Sequence, residues 1–212
     1  MSLIISIFAI VVAYLFGSLP MGYLVARMYG VDVRTSGSGR TGGTNVLRAA
    51  GVFAAGLTVL GDILKAMIPV YLIAVIGNPL TTALAASATV LGHNYSIFLG
   101  FRGGAGAGAA IGSLAGMSFP IALISGISGL VALVISRYAS ILTTTIAVAA
   151  LICLTISAFL GYTPFEYIVT GVLNLLLIAY ALRSNYARLR AGTERRIGQK
   201  TKDISPATPQ NQ

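Results

Sequence analysis

Three short segments of this sequence mix arginine with glycine, serine, threonine or asparagine, a combination suited to binding phosphate. They are G-S-G-R-T-G-G-T-N-V-L-R at 37–48, F-R-G-G-A-G at 101–106, and R-S-N-Y-A-R-L-R-A-G-T-E at 183–194. Glycines let backbone N–H groups turn toward one point and form a concavity that binds anions. Arginine adds a forked, charged donor that matches phosphate. Together the three segments predict a site for a phosphorylated ligand, although the first alone also fits a flexible glycine–serine linker.

The elements that must position these segments are apolar helices. The chain has 212 residues, 9% of them charged, and a mean hydropathy of +0.88, which is typical of an integral membrane protein. A helix needs about 20 apolar residues to cross the hydrocarbon. We therefore predict an all-α protein with seven transmembrane helices, one of them short and rich in glycine and alanine; six spans plus a re-entrant segment remain an alternative. The predicted spans are 3–26, 51–76, 80–100, 105–117, 119–136, 139–160 and 164–182.

The basic residues predict the orientation of these spans. Every lysine and arginine except Lys65 falls in loops that share one face when the chain starts outside. The positive-inside rule then places the N-terminus outside and the C-terminus in the cytoplasm. Residues 197–212 are polar and are predicted to form a disordered cytoplasmic tail. Orientation alone is a sufficient reason for Arg27, Lys200 and Lys202, but it does not explain glycines and hydroxyls interleaved with arginines.

At these segments the sequence resembles the bacterial acyl-phosphate:glycerol-3-phosphate acyltransferases, the family often called PlsY. The family motifs G-S-G-N-x-G-A-T-N-x-x-R, G-H-x-Y-P with F-x-G-G-K-G, and H-x-x-N-x-x-R-L-x-x-G-x-E stand near 37–48, 92–106 and 182–194. V-L-G-D-I-L-K at 59–65 and R-Y-A-S at 137–140 also resemble family segments. The resemblance covers residues 1–196, which implies a single acyltransferase domain.

The resemblance implies transfer of a fatty acyl group from acyl phosphate to the 1-hydroxyl of glycerol-3-phosphate, giving lysophosphatidic acid for phospholipid synthesis. It implies a multi-pass protein of the bacterial cytoplasmic membrane that meets these two substrates and membrane lipids and needs no cofactor. The implied catalytic residues are Ser38, Arg48, Asn185 and Glu194. The implied phosphate-binding residues, with Thr44 and Asn45 also shaping the first loop, are Gly37, Gly39, Arg40, Thr44, Asn45, Arg102, Gly103, Gly104, Gly106 and Arg188.

Three positions depart from the motifs. Arg40 replaces an asparagine, Ala105 replaces a lysine, and Leu182 replaces a histidine. A diverged homologue with lost or altered substrate specificity is therefore an alternative, as is transfer onto another phosphate-bearing acceptor. An anionic-solute transporter is a third, although transporters usually carry inverted repeats and we find no convincing one. The net charge of +9 lies beside membrane spans and does not indicate nucleic-acid binding.

The residues limit the chemistry. One histidine and one cysteine, Cys153 in an apolar run, exclude a cysteine–histidine or serine–histidine–aspartate nucleophile and disfavour a metal site. Acyl phosphate is a mixed anhydride, so positioning and electrostatic stabilisation suffice for its reaction. His93 is interpreted as a structural histidine, with a general base as the alternative. Asp62 and Lys65 are three residues apart, so they form a buried pair or line the site.

Overall fold

Apolar helices make up most of the protein. The computed structural model describes residues 2–199, which form nine α-helices and a short 3-10 helix at Ile97–Leu99. The α-helices are α1 Leu3–Ser18, α2 Met21–Met28, α3 Gly43–Ile76, α4 Pro79–Asn94, α5 Ala107–Met117, α6 Phe119–Ser136, α7 Ala139–Phe159, α8 Tyr167–Ala181 and α9 Arg183–Arg190.

Large apolar side chains cover the outside of the bundle. Leu3, Ile4, Phe8, Val134 and Ile135 are 67% to 80% exposed, which is costly in water and favourable in lipid. Four helical stretches are long and apolar enough to cross a membrane, and a fifth is added if α8 and α9, bent by 58°, count as one. The four stretches are Leu3–Met28, Gly43–Ile76, Phe119–Ser136 and Ala139–Phe159. These features confirm the all-helical membrane class.

Each of the seven predicted spans contains a helix, but two differ from the prediction. The predicted span 80–100 is α-helical only to Asn94, and the short 3-10 helix follows at Ile97–Leu99. The first span is interrupted at Leu19 and Pro20, because proline lacks an N–H and restricts the residue before it. The break has a structural consequence: the carbonyl of Leu19 accepts a hydrogen bond from Lys65 Nζ at 2.6 Å.

A kink divides α3 into two parts. Gly51 has φ 89° and ψ −179°, a conformation that is accessible essentially only to glycine. The predicted start of the span at 51 coincides with this kink. Residues 43–50 form a separate short helix that the sequence interpretation assigned to the loop. That short helix carries Thr44, Asn45 and Arg48, so it presents three predicted site residues.

The short helix α5 packs closely on α3 through small residues. Three glycines four residues apart in α5 face α3, and a Cβ added at any of them would lie within 2.8 Å of an α3 atom. The glycines are Gly108, Gly112 and Gly116, which meet Asp62, Ile63 and Met67. Such close approach is what small residues permit between membrane helices, and it fixes the start of α5 beside Asp62.

Candidate active site

The first basic segment is folded around the side chain of Asn45. This amide is 3% exposed, and its Oδ1 accepts a hydrogen bond from the backbone N–H of Ser38 at 3.1 Å. Its Nδ2 lies 2.9–3.0 Å from the carbonyl oxygens of Val33, Ser36 and Arg40. One side chain therefore gathers four points of the loop, which is the loop-shaping role expected of it.

Gly37 completes this arrangement. Its φ is 60°, and a Cβ there would lie 2.2 Å from Asn45 Oδ1. Ser38 is exposed at the tip of the loop, where its Oγ lies 3.5 Å from the backbone N–H of Arg40. The base of the loop is thus held by Asn45, while the Ser38 hydroxyl at its tip is exposed.

The second segment wraps around the end of α4. The N–H of Gly104 donates to the carbonyl of His93 at 3.0 Å. A Cβ at Gly103 would lie 2.0 Å from that carbonyl oxygen, and one at Gly104 would lie 2.1 Å from His93 Nε2. The expectation that Gly104 presents a free backbone donor is therefore wrong, because this amide is already bonded. Gly103 and Gly106 remain candidates.

A buried ion cluster lies directly beneath these glycines. Asp62 Oδ1 is 2.8 Å from Lys65 Nζ and 3.3 Å from His93 Nδ1, and each of the three side chains is 4% exposed. The predicted pairing of Asp62 with Lys65 is confirmed, and His93 joins it as a third member. Burying a lone charge in a membrane helix is costly, and pairing it with an opposite charge offsets part of that cost.

The third segment closes on itself through Glu194. Its carboxylate accepts from Asn185 Nδ2 and from Arg188 Nε, each at 2.7 Å. The helix α9 ends at Arg190, and Gly192, with φ 70°, turns the chain back. The three polar residues predicted for this segment are therefore in direct contact.

Two arginines join the first segment to the third. The Arg40 guanidinium donates to the carbonyl of Ala181, the last residue of α8. Arg48 Nη2 donates to the carbonyl of Arg195 at 3.4 Å. These contacts link residues 141 and 147 positions apart in the chain.

Glycines bring the second segment into the same region. A Cβ at Gly42 would lie 4.0 Å from Gly104 Cα, so the first two segments touch. A Cβ at Gly106 would lie 3.2 Å from Ile178 Cγ1, near the end of α8. All three predicted segments therefore meet at one end of the bundle.

Positive charge exceeds negative charge where the segments meet. Arg40, Arg48 and Arg195 make no ion pair with a carboxylate anywhere in residues 2–199, and Glu194 is engaged by Arg188. Burial, followed by the nearby charge of Arg188, lowers the pKa of the Arg40 guanidinium. A desolvated, unpaired cation is stabilised by an anionic ligand.

Two predicted side chains make no hydrogen bond at this meeting point. Arg102 is exposed, and its side chain makes no hydrogen bond within the described part of the chain. Thr44 is half-buried in the first turn of α3 without a side-chain hydrogen bond to another described residue. Lys200 and Lys202, with the rest of the predicted tail beyond 199, lie outside the described residues.

The positions that depart from the family motifs lie together. Leu182 is 1% exposed in an apolar cluster with Ile178, and Ala105 packs on the edge of the same cluster. Two polar motif positions are thus jointly apolar here. Arg40 bonds to the carbonyl immediately before Leu182, so a cation lies beside the position where the motif has histidine.

Sequence reasoning missed two polar residues at the end of α4. Asn94 is 4% exposed and neither atom of its amide finds a partner within residues 2–199; the hydroxyl of Tyr95 is likewise buried and unpaired there. A Cβ at Gly106 would lie 2.9 Å from Asn94 Oδ1. The available signals were their place directly after His93 and, for Tyr95, the tyrosine of the G-H-x-Y-P motif. No group of three or more potential metal ligands occurs within the described residues.

Known proteins share this architecture. Two crystal structures of PlsY (YgiH), an integral membrane glycerol 3-phosphate acyltransferase, superimpose with TM-scores of 0.83 for the glycerol 3-phosphate form and 0.82 for the lysophosphatidic acid form. Each is 33% identical and covers 91% of this chain and 95% or 96% of the other. The fold therefore defines a helical membrane enzyme.

Sequence relatives specify the family. The model of the glycerol-3-phosphate acyltransferase family matches residues 7–192. A glycerol-3-phosphate acyltransferase of Thermus thermophilus is 42% identical over 196 residues, covering 92% of this chain and 96% of the relative. One from Shouchella clausii is 38% identical over 203 residues, covering 93% and 99%. The chain belongs to the glycerol-3-phosphate acyltransferase family, and it is an acyltransferase.

Proposed function

We propose that this protein transfers a fatty acyl group from acyl phosphate to the 1-hydroxyl of glycerol-3-phosphate, giving lysophosphatidic acid and phosphate in the bacterial cytoplasmic membrane. The observation that carries the proposal is the meeting of three basic, glycine-containing segments at one end of the bundle. The names of the solved relatives, in forms with the acceptor and the product, support it.

The proposed topology has seven spans, with the N-terminus outside and the C-terminus in the cytoplasm. A helix in each of the seven predicted segments supports it, as does the position of the basic loops at one end. The helix α5 spans only 11 residues, but its glycine contacts with α3 allow it to cross while surrounded by protein. The site then faces the cytoplasm, where glycerol-3-phosphate is made available in water.

The two substrates approach from different sides. Glycerol-3-phosphate is soluble, and we place its phosphate among Arg48, Arg188 and Ser38, at the exposed end of the site. Acyl phosphate carries its chain in lipid, so we place its phosphate at Gly103 and Gly106, where α5 begins beside the buried Asp62 cluster. Backbone N–H groups and a helix start suit an anion there.

The chemistry needs no protein nucleophile. The 1-hydroxyl oxygen of the acceptor attacks the acyl carbonyl carbon, the bond from that carbon to the phosphate oxygen breaks, and phosphate leaves with the electron pair. The hydroxyl proton passes to a substrate phosphate oxygen. Backbone amides and Arg40 stabilise the charge on the carbonyl oxygen and the departing phosphate. His93 remains structural, because its imidazole lies against Asp62 and its main-chain carbonyl accepts from the N–H of Gly104.

Arg40 is the reason to expect activity despite Ala105 and Leu182. Its guanidinium is fixed at the end of α8 beside Leu182, and it supplies a cation to the pocket from which two polar motif residues are missing. An arginine in this position is not equivalent to a lysine and a histidine. We therefore expect an altered preference for the acceptor or the donor.

The test uses purified protein with palmitoyl phosphate and glycerol-3-phosphate, and measures lysophosphatidate. At glycerol-3-phosphate concentrations below KM, Arg48→Ala and Arg40→Ala should each lose most lysophosphatidate formation, because each removes a charge-assisted contact to phosphate. A silent wild type that gains activity with Ala105→Lys plus Leu182→His would show a diverged, inactive relative. Uptake of labelled glycerol-3-phosphate into proteoliposomes without acylation would favour a transporter instead.

A further inference from the structure

Hydrogen bonds from several helices hold the segment that follows α9. We call residues 194–199 the C-terminal strap. Glu194 binds α9, as described above, and the carbonyl of Arg195 accepts from Arg48 in α3. The next two residues of the strap reach a third element, the turn between α6 and α7, which the motif at 183–194 does not include.

Arg137 and Ile197 are joined by two hydrogen bonds, which we call the clasp. The N–H of Ile197 donates to the carbonyl of Arg137 at 2.8 Å, and Arg137 Nη2 donates to the carbonyl of Ile197 at 3.1 Å. Arg137 has φ 63°, a left-handed conformation that is uncommon for a residue with a side chain. Such a conformation is strained for a residue with a Cβ, and it persists only where the surrounding contacts hold it.

Tyr138 holds the neighbouring strap residue. Arg196 Nε donates to the Tyr138 hydroxyl at 3.2 Å, and the guanidinium carbon lies 5.5 Å from the centre of the ring. The side chain of Gln199 accepts from the N–H of Arg196 at 2.9 Å. Two adjacent residues of the α6–α7 turn therefore bind two adjacent residues of the strap.

We propose that Arg137 and Tyr138 are positioning residues for the glycerol-3-phosphate site, acting through the strap on Glu194 and Arg195. This inference rests on the proposed function. The strap carries the carboxylate that orients Arg188 and the carbonyl that orients Arg48. Neither Arg137 nor Tyr138 needs to touch substrate.

The clasp affects binding more than chemistry. Without the clasp, the α6–α7 turn no longer holds residues 195–199. Part of the binding free energy of the substrate is then used to order them. Arg48 and Arg188 contact the phosphate in the ground state and in the transition state alike. Loss of their alignment therefore raises KM for glycerol-3-phosphate and leaves kcat nearly unchanged.

A matched pair of variants at one residue isolates the clasp. Ile197→Pro removes the N–H that bonds to Arg137, whereas Ile197→Ala keeps it. The loss of one backbone hydrogen bond predicts a rise in KM for glycerol-3-phosphate of about 2- to 12-fold for Ile197→Pro. Ile197→Ala should stay within about twofold of the wild type, and kcat should be similar in all three proteins.

A second pair tests the same clasp from the turn and guards against a variant that fails to fold. Arg137→Ala removes the guanidinium bond and should raise KM similarly, and Arg137→Lys, which keeps a donor, should recover part of the loss. Equal KM values for Ile197→Pro and Ile197→Ala, or a fall in kcat with KM unchanged, would overturn the proposal. Because wild-type turnover is measured alongside, failure of the clasp is distinct from failure of the proposed function.

Discussion

Asn45 offers the sharpest perturbation of the site. Its amide has two hydrogens shared among three carbonyl contacts, and one oxygen that accepts from Ser38, so it supplies about three hydrogen bonds. Each contributes about 0.5–1.5 kcal/mol net, which gives about 1.5–4.5 kcal/mol in total. Because the tip of the loop is exposed, water replaces part of this, and about 1.5–3 kcal/mol is the expected loss on Asn45→Ala.

The loss of these hydrogen bonds destabilises the loop at 33–45 and leaves the helix bundle unchanged. The loop holds Arg40 and Ser38, so we expect kcat/KM for lysophosphatidate formation to fall about 10- to 150-fold. The thermal midpoint in detergent should change little, since the membrane helices keep their packing. The assay is steady-state kinetics with palmitoyl phosphate held at saturation and glycerol-3-phosphate varied.

Two further variants make the test decisive. Asn45→Asp preserves shape and the acceptor for Ser38 but turns a carboxylate toward three carbonyls, so it should lose more than Asn45→Ala. Thr35→Ala removes one exposed hydrogen bond to the Asp32 carbonyl in the same loop and should cost less than about threefold. Wild-type kinetics for Asn45→Asp would refute the assignment of Asn45 as organiser of the loop.

Three other outcomes follow from the packing. Gly104→Ala should abolish activity because its Cβ would lie 2.1 Å from a buried imidazole nitrogen, while Gly56→Ala in α3, with no atom within 4 Å of the added Cβ, should behave as wild type in the turnover assay. Lys65→Met should lower stability by about 3–5 kcal/mol by leaving Asp62 without its lysine, and adding Asp62→Leu should restore part of the thermal midpoint in detergent. Glu194→Gln should keep the hydrogen bond from Asn185 but lose the negative charge that holds Arg188. This change should raise KM for glycerol-3-phosphate about 10-fold or more.

Local patterns predicted the helices and one buried ion pair. Runs of apolar residues gave a helix in every predicted span, because helix formation in a membrane follows from satisfying the backbone within one segment. The spacing of Asp62 and Lys65 predicted their ion pair for a similar reason, since residues three apart share a helix face.

Long-range contacts could not be predicted in this way. The bond from Lys65 to Leu19, the addition of His93 to the ion cluster, and the clasp between Arg137 and Ile197 all join residues that are distant in sequence. Each depends on how the helices pack, and no periodicity encodes that. The kink at Gly51 could not be predicted either, because a glycine within an apolar run does not indicate its own φ.

In the proposed mechanism, the gathered arginines and amides position two phosphorylated substrates for direct acyl transfer. The measurement that tests it most directly follows phosphate and lysophosphatidate together when the protein meets palmitoyl phosphate with and without glycerol-3-phosphate, with intact mass recorded at each time. We predict one lysophosphatidate for each phosphate, negligible phosphate release without the acceptor, and a protein of unchanged mass. Phosphate release without the acceptor, accompanied by a palmitoylated protein, would contradict the account.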